Sequence, residues 1–202
     1  MLEKYNKKIM KDNNFNRYIF KPEDLNILIV EDSALMLKML NQNFSTKGFN
    51  TFLASSLKEA REIIRKNRID YIILDISLPD GSGYELIEDL KSTSIKIVVV
   101  TSHNDSLLKE TFYDKGIIDF INKDTNFLYK ISEIPNLIKQ IEKNKFKNIL
   151  VLDTCPLVRD KLKMIMLNRN YNVFDSSSTN EVLEIIKDKN IDLILMDLEI
   201  EA

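Results

Sequence analysis

Short apolar runs rich in β-branched residues recur along this chain, each followed by a longer stretch with helical spacing. Ile27–Val30, Thr51–Ala54, Tyr71–Leu74, Ile95–Val100 and Ile117–Ile121 have the length and composition of strands. Residues 33–47, 57–67, 84–91, 106–115 and 127–145 read as the helices between and after them. Ser56-Leu57-Lys58-Glu59 has the pattern of a capping box, in which hydroxyl and carboxylate each satisfy an end-of-helix amide. Gly48 and Gly116 stand where helices should stop. The strand runs are continuously apolar, as parallel strands covered on both faces require. Five such strand–helix units predict an α/β fold, a doubly wound five-stranded parallel sheet.

The pattern then restarts. Asn26-Ile27-Leu28-Ile29-Val30-Glu31-Asp32 returns 122 positions on as Asn148-Ile149-Leu150-Val151-Leu152-Asp153-Thr154. At the same offset Asp70–Asp75 returns as Asp192–Asp197, and Ser56–Glu59 as Ser178-Thr179-Asn180-Glu181. Strands are expected over 149–152, 171–175 and 193–196, with helices over 155–168 and 179–189. The expected organisation is a leader over 1–22, a full domain over 23–146 and a partial second copy over 147–202 that stops after its third strand. An open edge on that strand predicts either a longer parent protein or another chain covering it. Only Asn144–Lys147 separates the last helix of the first copy from the new strand, so the two should be held close.

Composition narrows the function classes. The 202 residues carry 29 Lys and Arg against 31 Asp and Glu, a formal charge of −2, and no basic DNA-reading helix is evident. Nucleic-acid contact is therefore not expected. No apolar stretch approaches a membrane span, and the first 20 residues lack the apolar core of a secretory signal. Cys155, the only cysteine, excludes an internal disulfide and fits a reducing cytoplasm.

The candidate chemistry lies just past the strand ends, where open α/β sheets hold their ligands. Glu31 and Asp32 end the first strand and Asp75 ends the third. Two unit charges about 4 Å apart repel by about 4 kcal/mol at an effective dielectric near 20, so three converging carboxylates favour a counter-ion. A hard divalent cation, Mg²⁺ or Mn²⁺, suits such oxygen ligands; a bare acidic rim is the plain alternative. Thr101 ends the fourth strand and Lys123 follows the fifth, on the same edge of the sheet. A hydroxyl and an ammonium beside a metal-bound carboxylate supply what an incoming phosphoryl group needs.

Val30-Glu31-Asp32-Ser33, Leu74-Asp75-Ile76-Ser77-Leu78-Pro79-Asp80-Gly81-Ser82-Gly83, Val100-Thr101-Ser102 and Phe120-Ile121-Asn122-Lys123 resemble the receiver domain of two-component response regulators. The likeness spans residues 25–145 in full and 148–202 as a partial second copy. It implies the flavodoxin-like strand order 2-1-3-4-5, with Asp75 as phosphoacceptor from a sensor histidine kinase, a phosphotransfer protein or a small acyl phosphate. Glu31, Asp32, Asp75 and the Ser77 carbonyl would hold Mg²⁺. Lys123 and Thr101 would hold the phosphoryl oxygens, and Thr101 with Phe120 would form the switch. Ser77 and His103 occupy positions that influence phosphoryl lifetime in that family, and a homodimer through the strand 4–helix 5 face is the implied assembly. The chain departs from the family in following Lys123 with Asp124 where proline is usual.

In the second copy Asp153 and Asp197 match Glu31 and Asp75, but Thr154 replaces the metal ligand Asp32. The counterparts of Thr101 and Lys123 would fall past residue 202, so this copy is not expected to complete a site. The leading expectation is a phosphorylation-controlled signalling module, not an enzyme beyond its own phosphoryl chemistry. The alternatives are a pseudo-receiver scaffold, or the regulatory part of a longer effector such as a diguanylate cyclase. No glycine-rich loop follows the first strand, which argues against a nucleotide or flavin site. His103 and Cys155 read as ordinary surface residues. Met36, Met39, Met164 and Met166 read as packing, and Lys139, Lys143, Lys145 and Lys147 as a solvated face.

Overall fold

Alternate residues of each central strand point to opposite faces, and both faces find cover. A computed structural model of the chain describes residues 20–102 and 115–197. Its first sheet contains β1 (Asn26–Val30), β2 (Asn50–Ala54), β3 (Tyr71–Asp75), β6 (Lys96–Thr101) and β7 (Ile117–Asn122). All pair in parallel in the order β2-β1-β3-β6-β7, which is the 2-1-3-4-5 order once a two-residue hairpin, β4 (Ser77–Leu78) and β5 (Gly81–Ser82), is set aside. Ile27, Ile29, Ile73 and Val98 enter one core with Leu40 and Phe44 of α1 (Ala34–Ser45) and Ile134 and Ile138 of α4 (Phe127–Lys143). Leu28, Val30, Leu74 and Val99 enter the other, with Leu57 and Ala60 of α2 (Leu57–Lys66) and Leu86 and Ile87 of α3 (Gly83–Leu90). Burying a strand residue of this kind contributes about 1.5–3 kcal/mol, so the central strands anchor the fold.

Helix ends show where local chemistry was and was not readable. Ser56 Oγ accepts from Glu59 N as the capping pattern predicts, but the Glu59 carboxylate accepts from Ser55, one residue too early for the reciprocal bond. Asp80 takes over, its two oxygens accepting from Leu57 N and Lys58 N at 2.8 and 2.9 Å. A complete capping box forms instead at Ser82 and Glu85, at the start of α3. At the later helix expected to carry the same signature, Ser178 makes no side-chain cap, and Glu181 accepts from Ser176 Oγ.

Pro135 lies inside α4, where it cannot donate to the Ile131 carbonyl. Asn43 Nδ2 of α1 donates to Ile131 O at 2.6 Å, and Lys47 Nζ donates to Ser132 O at 2.6 Å. The break in one helix is thus met by a side chain of another and by a lysine just past its end.

From residue 148, β8 (Asn148–Leu152), β9 (Asn172–Ser176) and β10 (Leu193–Met196) form a separate parallel sheet in the order β10-β8-β9. Its buried cluster is small: Leu150, Leu152 and Val182 of α6 (Thr179–Asp188), with Phe174, Ile185 and Ile191 partly buried against them. No residue of α5 (Pro156–Asn168) is fully buried, and Leu193, Ile194 and Met196 of β10 are exposed. The expected helix over 106–115, His103 and residues 1–19 of the leader lie outside the described residues. Phe20, at the leader's end, packs against Phe49 of the first core. Lys143, Lys145 and Lys147 are exposed, as a solvated face requires, and two of them also pair with acids, Lys145 with buried Glu142 and Lys147 with Asp192; Lys139 is half-buried over the Phe49 ring.

Candidate phosphoacceptor site

β1 and β3 are hydrogen-bonded neighbours in register from Ile27↔Tyr71 to Val30↔Leu74, so both runs end on the same rim. Glu31, Asp32 and Asp75 each present a carboxylate oxygen within 4.8 Å of the others, the only such group of acids among the described residues. Glu31 and Asp75 are buried and Asp32 faces solvent. Glu31 Oε1 accepts from Ser33 N, while Asp75 Oδ1 accepts from Ser77 N. Ser33 also caps α1 through its side chain, accepting from Met36 N.

Lys123 crosses the hollow. Its Nζ donates to Asp75 Oδ2 at 2.6 Å and to Glu31 Oε2 at 2.9 Å. Its backbone N donates to Thr101 O, which ties the end of β7 to the end of β6. No peptide among the described residues is cis, so Lys123 reaches both carboxylates with a trans bond to Asp124. Asp75 stands in register with Val100, and Thr101, one step further, is buried opposite Asn122. Phe120 is half-buried at the edge of the second core.

The electrostatics follow from this crowding. Burial raises the Glu31 carboxyl above its ordinary range; the Lys123 hydrogen bond opposes that, and the Asp75 charge adds to it. Burial pulls Lys123 down, but its bonds to Asp75 and Glu31 outweigh that and hold the ammonium above its usual range. The site therefore keeps a fixed positive charge between two acids that would otherwise repel.

Glycine controls the approach behind Asp75. A Cβ on Gly83 would come within 2.6 Å of the Asp75 carbonyl oxygen. Gly83 N donates to Ile76 O, so the loop after Asp75 is drawn tightly under α3. With Asp80 bound to α2, the turn carrying Ser77 is held on two sides. The functional pattern included Asp80 and Gly83, but not the structural tasks they perform; the Gly-Ser-Gly spacing was the available signal.

Residues 27–133 match the response regulator receiver domain. The chain belongs to the response regulator receiver family. The first unit is therefore a signalling module of two-component systems, the class expected from its motifs. TorCAD operon transcriptional regulatory protein TorR of Escherichia coli (strain K12) is 29% identical over 117 residues, 57% of this chain and 51% of that protein. Sporulation initiation phosphotransferase F of Bacillus subtilis (strain 168) is 27% identical over 116 residues, 56% of this chain and 90% of that protein. A solved two-component system response regulator/GGDEF domain protein shares the fold at TM-score 0.69 and 23% identity, covering 84% of this chain and 69% of that one. The chain spans about half the length of the transcriptional regulators it matches.

The receiver family binds Mg²⁺ in an acidic pocket, and the donor set here fits that ion. Three carboxylates converge, one of them open to solvent for the waters that Mg²⁺ retains. In the second sheet Asp153 is buried and accepts from Cys155 N, while Thr154 and Cys155 are exposed. Arg159 donates to the Asp153 carbonyl and pairs with Asp175, which Lys163 also engages. Asp197 lies past β10, and among the described residues no third acid joins Asp153 and Asp197 in a cation-sized group. Among the described residues no helix is long and apolar enough to cross a membrane.

Proposed function

We propose that the first unit, residues 23–146, is a phosphoacceptor receiver that takes a phosphoryl group onto Asp75. The observation that carries this reading is the bridged pair: buried Asp75 and Glu31 joined by one lysine, with Asp32 open beside them. A carboxylate oxygen of Asp75 attacks phosphorus as the phosphorus–nitrogen bond of a donor phosphohistidine breaks. The leaving imidazole keeps the bonding pair and takes a proton. With an acyl phosphate the phosphorus–oxygen bond to the acyl group breaks instead.

Glu31, Asp32, Asp75 and the Ser77 carbonyl would hold Mg²⁺. When bound, the ion neutralises charge on the transferring phosphoryl oxygens. Lys123 is drawn from the carboxylates to the new phosphoryl group, whose doubly charged oxygens attract it more strongly than a monoanionic carboxylate. Thr101, one residue past the register partner of Asp75, donates its hydroxyl proton to a phosphoryl oxygen. Its movement opens space into which Phe120 turns, a local charge event that biases a two-state element.

Residues 147–202 act as a partial receiver-like unit that does not accept phosphate, because Thr154 removes a metal ligand. Residues 1–22 act as a leader. The phosphoryl donor is a sensor histidine kinase or a phosphotransfer protein in the cytoplasm. Pairing of two protomers through the β6–β7–α4 side would pass the signal on. The likeness in fold to a GGDEF-containing regulator favours a second reading, in which these residues regulate a longer effector.

Acetyl phosphate with Mg²⁺ should label the chain once, and Asp75→Asn should abolish the label. Labelling that persists in that variant disproves the assignment. Beryllofluoride with Mg²⁺ should shift the NMR signals of Phe120, and unshifted signals at saturation would remove the switch.

A further inference from the structure

The strands whose tips carry Thr101 and Lys123 are held at their other ends by one turn of the second unit, which also reaches the base of the Asp75 strand through Glu142. At the base of β6, Lys96 Nζ donates to Asn168 O at 2.8 Å. At the base of β7, Arg169 Nη2 donates to Ile118 O at 3.2 Å. At the base of β3, Tyr71 Oη donates to Glu142 Oε1 at 2.7 Å, and Asn170 Nδ2 donates to that same oxygen at 3.2 Å. Glu142 is itself buried, 3% exposed, at the end of α4.

Two details make this more than a chance contact. Ile118 is the residue skipped where the β6–β7 register shifts, between Ile97↔Ile117 and Val98↔Asp119. A bulge of this kind frees a backbone group from the ladder, and here a side chain of the second unit takes that carbonyl. Asn170 has φ 63, the left-handed position that Gly48 fills with φ 88 at the equivalent point of the first unit. Asparagine is among the few residues that tolerate it, and unlike glycine it brings an amide to reach Glu142.

We infer that the Asn168–Asn170 turn reads the state of the phosphoacceptor rim through the bases of β3, β6 and β7. The inference rests on the receiver reading above. Strand tips and bases are about 13–17 Å apart, at roughly 3.3 Å per residue. Hydrogen-bonded strands transmit tilt along their length, so a shift of Thr101 and Lys123 at the tips moves Lys96 and Ile118 at the bases. The bulge supplies the compliance between β6 and β7. Linkage makes the coupling reciprocal, so a partner that grips the second unit also changes phosphoryl occupancy at Asp75.

Amide hydrogen exchange on the full chain, with and without Mg²⁺ and beryllofluoride, tests this. In the unsubstituted chain, exchange over residues 166–172 should change by about threefold or more together with that over residues 75–78. In the double variant Lys96→Met, Arg169→Ala the change at 166–172 should vanish while that at 75–78 stays. Asn170→Gly keeps the left-handed turn and removes only the Glu142 contact, so it remains informative if the double variant does not fold; in it the response should fall by about half. A full response at the turn in either folded variant overturns the inference. So does an unchanged turn in the natural chain when residues 75–78 respond. If residues 75–78 themselves ignore saturating beryllofluoride, the receiver reading fails and takes the inference with it.

Discussion

The two units arrive at the same strand order, and among the described residues only the first ends its strands in a cluster of acids bridged by a lysine. β2-β1-β3 and β9-β8-β10 pair at equivalent registers, Asn26↔Asn50 in one and Asn148↔Asn172 in the other. Past the strand ends they diverge. In the first, Lys123 lies between Glu31 and Asp75, with Asp32 exposed alongside. In the second, Arg159 and Lys163 are spent on Asp175, at the position of Leu53, while Asp153 accepts from its own following turn. Strand interiors thus decide the topology, and one or two residues beyond each strand decide the chemistry.

The sharpest way to break this contrast is to remove each terminal aspartate in turn. Asp75→Asn should abolish acetyl phosphate labelling, whereas Asp197→Asn should leave it unchanged. Intact mass would show a single adduct in the natural chain and none in the first variant. A second adduct that disappears with Asp197→Asn would mean that the units are chemically alike, contrary to the loss of Asp32's counterpart at Thr154.

Next in size is the price of the acidic hollow itself. Lys123→Ala leaves Glu31 and Asp75 buried without their cation, which should cost about 3 kcal/mol in urea unfolding with chelator present. Glu31→Gln removes the charge that burial opposes, and should instead stabilise the metal-free chain by about 0.5–2 kcal/mol. Opposite signs at two residues 2.9 Å apart would identify strain held for function. Matching signs would make the pair a plain structural ion pair. The equivalent test in the second unit, Asp153→Asn, should move stability little, because its carboxylate accepts from a local amide and faces no cluster of acids.

How much of this was legible follows the same division. Continuous apolar runs predicted the strands to within a residue or two, because a strand buried on both faces leaves few alternatives to β-branched side chains. The five candidate site residues could be placed on one rim because each stands one or two places past such a run. What the sequence did not disclose were contacts made across long separations. Asp80 caps a helix that starts 23 residues earlier, and Asn43 serves a carbonyl 88 residues away. Glu142 meets Tyr71 across 71 residues. Local patterns carry no such information. The capping box at Ser56 misled for the same reason, since the amides of Leu57 and Lys58 at that helix start are served by distant Asp80 while Glu59 turns to Ser55.

The contrast extends to the helices that follow β1 and β8. Asn43 and Lys47 of the first helix region donate to carbonyls of α4 around Pro135; at the equivalent positions the second unit has Ile165 and Arg169, and Arg169 donates to β7. Asn43→Ala should leave the Ile131 carbonyl buried without that donor and cost about 1–3 kcal/mol. In a Pro135→Ala background the helix regains its own amide for Ile131, and the same substitution should cost less by about 1 kcal/mol. Urea unfolding of the four proteins in this cycle gives the coupling directly. Additive losses would show that Asn43 acts by packing alone and that the break in α4 is satisfied some other way.

The smallest effect should appear at low pH. Two backbone amides, Lys58 N and Leu57 N, hold the Asp80 carboxyl below its ordinary range. A carboxyl depressed in the folded state adds stability above its unfolded pKa, and that contribution is lost as pH falls through the folded value. Asp80→Asn should therefore lower stability slightly at neutral pH and flatten the acid limb of the stability curve, leaving the slope near neutral pH unchanged. Among the described residues the second unit makes no such tie, and Ser178, which precedes α6, provides no side-chain cap. Hydrogen exchange at Leu57 and Lys58 should accelerate on acidification relative to the intrinsic rate, while Thr179 and Asn180 show no added loss of protection over the same range. Equal changes at both helix starts would mean that general acid loosening, not Asp80, controls the first.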